Sequence, residues 1–406
     1  MLKVYVTTNG CVEGQLSSTY VEEFFRKNKL TITKDLSQAD LIVFYACGLT
    51  EQKEKDSLAV ISKLQAKSKP TAKLIVWGCL PKINPKALST VYNGPIIGPM
   101  DTAYFEEIFE RTTVTFNDIM GARAADMLVP PETLELYNYP PLDAFTNTII
   151  LLKERWGKLK GRVHKNTRFY IRTAAGCTGR CTYCSERCAF GRIKSRPIEK
   201  ILSEFKWGLQ RGYNQFSLIA TDLGAYGRDM GCTLSDLLTK MIEVNNEKNY
   251  KIILNQVCPS YLIEMFSDLE KIFASKKVEV LNCPVQSGSD RILKLMGRAY
   301  TSEEWREHML KINRRFPYIK LSTHFMVGFP SETDDDFDAT LNLLNYPLFL
   351  HDIYIFKFSK RPTVYASLIP DQISEKTKEL RCRKLLQKYA YMYVLNSTGR
   401  CIRGIF

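Results

Sequence analysis

The chain has 406 residues, 45% of them hydrophobic and 25% charged, with a formal net charge of +14; that length accommodates two or three domains with their own cores. The mean hydropathy of −0.19 and the lack of any run approaching ~18 apolar residues argue against a membrane-spanning helix, and the strand-like start LKVYVTT is no secretory signal. Twelve cysteines without such a signal point to a reducing compartment, the cytoplasm, and to cluster or metal chemistry over a disulfide framework. The basic balance favours a polyanionic or acidic partner, although charge speaks to association and not to chemistry.

Residues 1–120 alternate strand-like and helix-like segments, which predicts a parallel sheet with helices on its faces. Apolar runs at residues 2–6, 41–45 and 74–77 each end in a turn holding a cysteine: Cys11, Cys47 and Cys79. In open α/β sheets ligands sit outside the carboxyl ends of the strands, so the three thiols are expected to face one another. Each alone reads as an ordinary core thiol. The repeated strand-then-cysteine placement points to a shared iron-sulfur cluster with one iron left free for exogenous sulfur or a substrate group.

Residues 121–165 read as a linker, broken by Pro130-Pro131 and Pro140-Pro141. From Lys153 to Arg172 its end is strongly basic, with Glu154 the only counter-charge in the strip. A solvated surface and a substrate-docking strip are both open readings.

From residue 166 to 370 the alternation resumes with longer periods. Strands are predicted at 169–173, 216–220, 251–255, 278–282, 321–327 and 353–358, enough for a (β/α)6 partial TIM barrel whose chemistry gathers at the carboxyl ends of its strands. The first strand is followed by Cys177-Thr178-Gly179-Arg180-Cys181-Thr182-Tyr183-Cys184. Three thiolates in so tight a loop can converge on one four-iron cluster and leave one iron open. A closed zinc or electron-transfer site using Cys188 as a fourth ligand, and buried structural thiols, are the competing readings. Cys188, Cys232, Cys258, Cys283, Cys382 and Cys401 lack the paired placement and are not expected to bind a cluster.

Asp222, Gln286, Ser287 and Arg298 lie near predicted strand ends, within Ala220–Gly227, Pro284–Asp290 and Met296-Gly297-Arg298. They suit the ribose, amino and carboxylate groups of a cofactor, with local turn and capping work as the plain alternative. Residues 371–406 predict a basic helix at 374–393, carrying Lys376, Lys378, Arg381, Arg383, Lys384 and Lys388, and then a turn at 396–400.

The cysteine loop resembles the signature of the radical SAM superfamily, in which the open iron binds S-adenosylmethionine; by that resemblance Tyr183 lies near the adenine. Together with Cys11, Cys47, Cys79 and the PVQSGSD stretch, nearly the whole chain resembles the methylthiotransferases. The resemblance implies a flavodoxin-like N-terminal domain with an auxiliary 4Fe-4S cluster, a radical SAM barrel with a second, and an external one-electron reductant such as flavodoxin or ferredoxin. It also implies two molecules of S-adenosylmethionine per turnover, one donating a methyl group to cluster-borne sulfur and the other yielding the radical that abstracts hydrogen from an unactivated carbon. Known members usually carry a C-terminal TRAM barrel that engages tRNA or a ribosomal protein, and this sequence ends where that barrel would begin. On that ground a peptide or protein side chain is the favoured substrate, a tRNA adenosine the alternative, and a non-catalytic iron-sulfur protein the reading from another class.

Overall fold

The computed structural model describes residues 2–108, 112–119, 122–123, 146, 148–149, 168–244, 249–345 and 347–402. The proline-rich linker and its basic strip from Lys153 to Lys165 lie outside the described residues.

Five parallel strands form the first sheet: β1 Lys3–Thr8, β2 Thr31–Ile32, β3 Leu41–Tyr45, β4 Lys73–Trp77 and β5 Ile96–Ile97. Their order is β2-β1-β3-β4-β5, the flavodoxin-like order with its switch point between β1 and β3. β3, LIVFY, is buried at every position, as a central parallel strand covered on both faces should be. Helices α1 Val12–Lys27 and α2 Glu51–Lys67 follow β1 and β3. α2 starts cleanly because Thr50 accepts the Lys53 N–H and Glu51 and Glu54 occupy its first turn.

The second sheet holds six parallel strands, β7 Arg168–Arg172, β10 Gln215–Ile219, β11 Lys251–Leu254, β12 Val278–Asn282, β13 Lys320–Val327 and β14 Asp352–Lys357. Helices intervene, as a partial (β/α) barrel requires. A short strand the sequence left inside the linker, β6 Ala122–Arg123, pairs antiparallel with β7. A small ribbon, β8 Ala174–Ala175 with β9 Lys194–Ser195, brackets the cysteine loop. Among the described residues no helix is long and apolar enough to cross a membrane.

Three sequence expectations need correction. The last helix runs from Glu375 to Ile402, through the predicted turn at 396–400; one glycine costs a helix only ~1 kcal/mol and does not stop it. That helix is also less of a basic face than its composition suggests. Lys378 and Arg381 are buried, the first donating to the Phe358 carbonyl (2.9 Å) and the second to Glu332 (2.6 Å) and Asp334 (2.9 Å). Finally, Arg172, counted with the unbalanced basic strip, is paired with Glu13 at 2.7 Å.

Two arginines fasten the sheets to each other. Arg172 reaches α1, where it binds Glu13 and the Ser17 hydroxyl (2.5 Å) and lies over the Tyr20 ring. Arg361, only 2% exposed, pairs with Glu54 on α2, and Glu51 N–H donates to Ser359 nearby at 2.9 Å. Removing one partner of a buried ion pair leaves the other charge uncompensated, at a typical cost of ~3–5 kcal/mol. Arg361→Ala is therefore expected to lower the unfolding free energy by about 3 kcal/mol, read as a fall in the urea midpoint at unchanged slope; an unchanged midpoint would show the pair contributes nothing.

Candidate active site

The in-register ends of the first sheet bring its cysteines together. Thr8 pairs with Tyr45 and Tyr45 with Trp77, so the turns holding Cys11, Cys47 and Cys79 leave three adjacent strands at one level. Gly78, at φ +107, makes the bend before Cys79 that an L-residue resists. The Cys47 N–H donates to Asn9 Oδ1 (3.1 Å), the Asn9 amide to Ser57 (2.8 Å), and the Ser57 hydroxyl to the Cys47 carbonyl (2.7 Å). This closed triangle fixes the Cys47 turn. Tyr45 Oη lies 3.2 Å from Cys79 Sγ. Burial pushes all three thiols up, Cys11 to about 12 with Cys47 as the next cause, and Cys79 is raised further by Cys47 and Cys11.

In the second sheet the Cys177–Cys184 loop leaves β7 and β8. Gly176, at φ +81, sits so close to the ribbon that a Cβ there would lie 2.3 Å from the Arg192 carbonyl oxygen. The Met296-Gly297-Arg298 turn buttresses the loop from behind, since Thr182 donates through N–H to the Met296 carbonyl (3.0 Å) and through Oγ1 to that of Leu295 (2.8 Å). Burial, with Asp222 second, raises the Cys177 thiol to about 12, and burial raises Cys184 as well, with Glu186 next.

A polar chain crosses the barrel mouth. Arg298 donates to Tyr183 Oη and, at 3.3 Å, to Cys258 Sγ; the Cys258 N–H donates to Asp222 Oδ1 at 3.3 Å, and Cys177 Sγ lies 3.8 Å from Asp222 Oδ2. Burial lifts the Asp222 carboxyl to about 6, against the opposing pull of the Cys258 N–H and Arg298. Arg298 Nε is buried with no hydrogen-bond partner among the described residues.

Of the expected cofactor residues, the structure gathers Tyr183, Asp222 and Arg298 beside the loop. Gln286 ends a strand-like bridge to Phe325 at φ +74, and its side-chain amide makes no hydrogen bond among the described residues. Ser287 goes elsewhere: it is fully buried, its hydroxyl 3.3 Å from that of Thr340 and accepting the Ser289 N–H. The Val327–Thr333 turn is likewise internal work, with Glu332 accepting the Gly328 N–H (2.7 Å) and the Arg381 guanidinium. Cys188 is exposed, its thiol directed to the Thr363 carbonyl (3.6 Å).

The sequence missed what lies between the two cysteine sets. Helix Leu80–Ile83 behind Cys79 packs on helix Glu186–Phe190 behind Cys184. Glu186, its carboxyl raised by burial to about 7, acts electrostatically on Cys184 and on Cys11, Cys47 and Cys79. Asn9 and Cys258 were missed too; only the place of Asn9 in the turn before Cys11 could have marked it.

Among the described residues no three His, Cys, Asp or Glu side chains converge on a single ion. A four-iron cluster spreads its thiolates over separate irons, so the wider all-sulfur sets fit a cluster. Metal charge would also offset the desolvation that raises the Cys11, Cys47, Cys79, Cys177 and Cys184 thiols.

Comparison with known proteins decides the family. Residues 171–344 match the Radical SAM superfamily and residues 3–95 the "Uncharacterized protein family UPF0004". Threonylcarbamoyladenosine tRNA methylthiotransferase MtaB of Thermotoga maritima is 30% identical over 394 residues, 96% of this chain and 82% of that protein. The chain belongs to the radical SAM methylthiotransferases. Among other methylthiotransferases, the ribosomal protein uS12 enzyme RimO of Protochlamydia amoebophila is 29% identical over 95% of this chain and 76% of its own. In fold, the chain resembles the radical S-adenosylmethionine methyltransferase TsrM from Kitasatospora setae (TM-score 0.61, 12% identity, 90% and 75% of the two chains covered). A methylthiotransferase of this family works with two 4Fe-4S clusters and S-adenosylmethionine.

Proposed function

We propose that this methylthiotransferase acts on an adenosine of tRNA in the cytoplasm. The observation that carries the reading is the 30% identity to a tRNA methylthiotransferase over 96% of the chain, and the net charge of +14 suits a partner whose phosphates dominate its affinity. The peptide favoured on sequence grounds has no counterpart in the names of these relatives, whereas a protein side chain keeps some support from the RimO relative.

Cys177, Cys181 and Cys184 would hold the cluster at which S-adenosylmethionine binds, and Cys11, Cys47 and Cys79 the auxiliary cluster. When bound, these groups supply the methyl group, the carried sulfur and the reductive cleavage that starts hydrogen abstraction. The chain's own residues bind and orient. Asp222 would accept from the cofactor's ribose or amino donors, Arg298 with its unpartnered Nε would face the carboxylate, and Tyr183, held by Arg298, would lie against the adenine. The packed helices behind Cys79 and Cys184 keep the two sites adjacent. An external one-electron donor such as flavodoxin or ferredoxin completes the system.

Mass spectrometry of nucleosides from cells with and without the gene tests the substrate. A methylthio-adenosine derivative should disappear from the tRNA digest on deletion. An unchanged digest, with a methylthio group lost from a ribosomal protein or a peptide instead, would overturn the tRNA reading and leave the reaction intact.

A further inference from the structure

Beside the Cys177–Cys184 loop the surface opens into a cavity of about 350 Å³, lined by Cys177, Arg180, Arg187, Arg192, Arg228 and Asp229 among others. That volume is within the ~300–1,000 Å³ range of small-molecule pockets. Its wall is unusually rich in guanidinium groups, and they are not equivalent. Arg228 is committed, paired with Glu264 at 2.6 Å and lying 4.9 Å over the Tyr261 ring. Arg180, Arg187 and Arg192 are exposed, and among the described residues none of their side chains has a hydrogen bond or an ion pair. The one carboxylate on the wall, Asp229, already accepts the Ser195 N–H at 2.8 Å.

Among the described residues these three arginines have no ion-pair partner, so the wall carries more positive charge than its single carboxylate, Asp229, can balance. All three are carried by the cysteine loop and the segment that returns from it to β9, the same backbone that the Met296-Gly297-Arg298 turn and the β8–β9 ribbon hold in place. They are therefore presented on a braced surface, which favours recognition over a solvated fringe. Guanidinium groups bind phosphate bidentately, and several along one rim suit a ligand with phosphates at regular intervals.

We infer that this cavity seats the phosphodiester backbone of the RNA substrate, with Arg180, Arg187 and Arg192 as its phosphate contacts. The inference rests on the tRNA reading above and adds where the RNA lies. Because Cys177 shares this wall, phosphates held by these arginines set the RNA beside the cluster loop, so the contacts also choose which nucleotide is presented.

The test is RNA binding against salt, with a synthetic anticodon stem-loop as the probe and iron-loaded protein. The variants are Arg180→Gln, Arg187→Gln, Arg192→Gln and the triple, with Lys63→Gln, on α2 and outside the cavity, as the charge control. Each lost phosphate contact should flatten the slope of log K against log salt by roughly 0.7–0.9, so the triple variant should lose about two to three units and Lys63→Gln none. Arg187→Lys should keep the slope, because the charge is retained. If the wild-type protein binds the stem-loop with a steep slope and the triple variant binds with the same slope, the cavity inference is wrong and the tRNA reading survives. If the wild-type protein does not bind the RNA, and methylthiolates a protein instead, both fall together.

Discussion

Replacing Cys177, Cys181 and Cys184 together with Ala is expected to remove about half the iron of the anaerobically reconstituted protein and to reduce 5′-deoxyadenosine formation to background. The loop carrying them is fastened at its ends by the β8–β9 ribbon and along its length by Thr182, and none of those bonds involves a cysteine sulfur. The variant should therefore fold, and circular dichroism with a preserved melting transition checks it. Removing the thiolates removes the ligands without removing the loop. Full iron content with undiminished cleavage would refute the assignment of this loop to the cluster.

The complementary variant, Cys11, Cys47 and Cys79 to Ala, should also lose about half the iron but keep 5′-deoxyadenosine formation, while the methylthio product disappears. The first sheet supplies none of the polar chain Tyr183–Arg298–Cys258–Asp222 at the barrel mouth, so cofactor cleavage is not expected to depend on it. The split between cleavage retained and transfer lost is what separates an auxiliary sulfur-carrying site from a second cleavage site. Loss of both activities in a folded, half-loaded protein would show that the two sites are not functionally separable; survival of the methylthio product would remove the auxiliary assignment altogether.

Both cysteine sets were legible because their signal is local. A buried parallel strand reads as an apolar run, and a cysteine two or three residues past it in the first sheet, or five past β7 in the second, stands at the end where α/β sheets bind ligands. The six barrel strands were found for the same reason, each within a residue or two of its observed ends. Long-range partners left no periodic trace. Arg361 meets Glu54 across 307 positions, and a guanidinium in sequence looks the same whether it faces water or a buried carboxylate. Lys378 and Arg381 likewise counted in the sequence only as part of a basic helix, with nothing to mark them as buried. Ser287 is a different case: a serine in a glycine-rich strand end suits a ligand and an internal hydroxyl pair equally well in sequence, and the structure adds that its hydroxyl lies beside that of Thr340. Glu186 shows the limit most clearly, since its neighbours in the chain say nothing of the cysteines of the other sheet.

The arginine fastenings also bear on how such a chain can change over generations. Arg172 and Arg361 belong to the barrel segment, and their carboxylate partners Glu13 and Glu54 belong to the first sheet. A recombination event that joined this first sheet to the barrel of a distant cousin would leave buried charges with no counterpart unless both halves of each pair travelled together. The two halves are thus poor currency for domain shuffling, and substitutions at positions 13 and 172, or at 54 and 361, should be inherited as pairs.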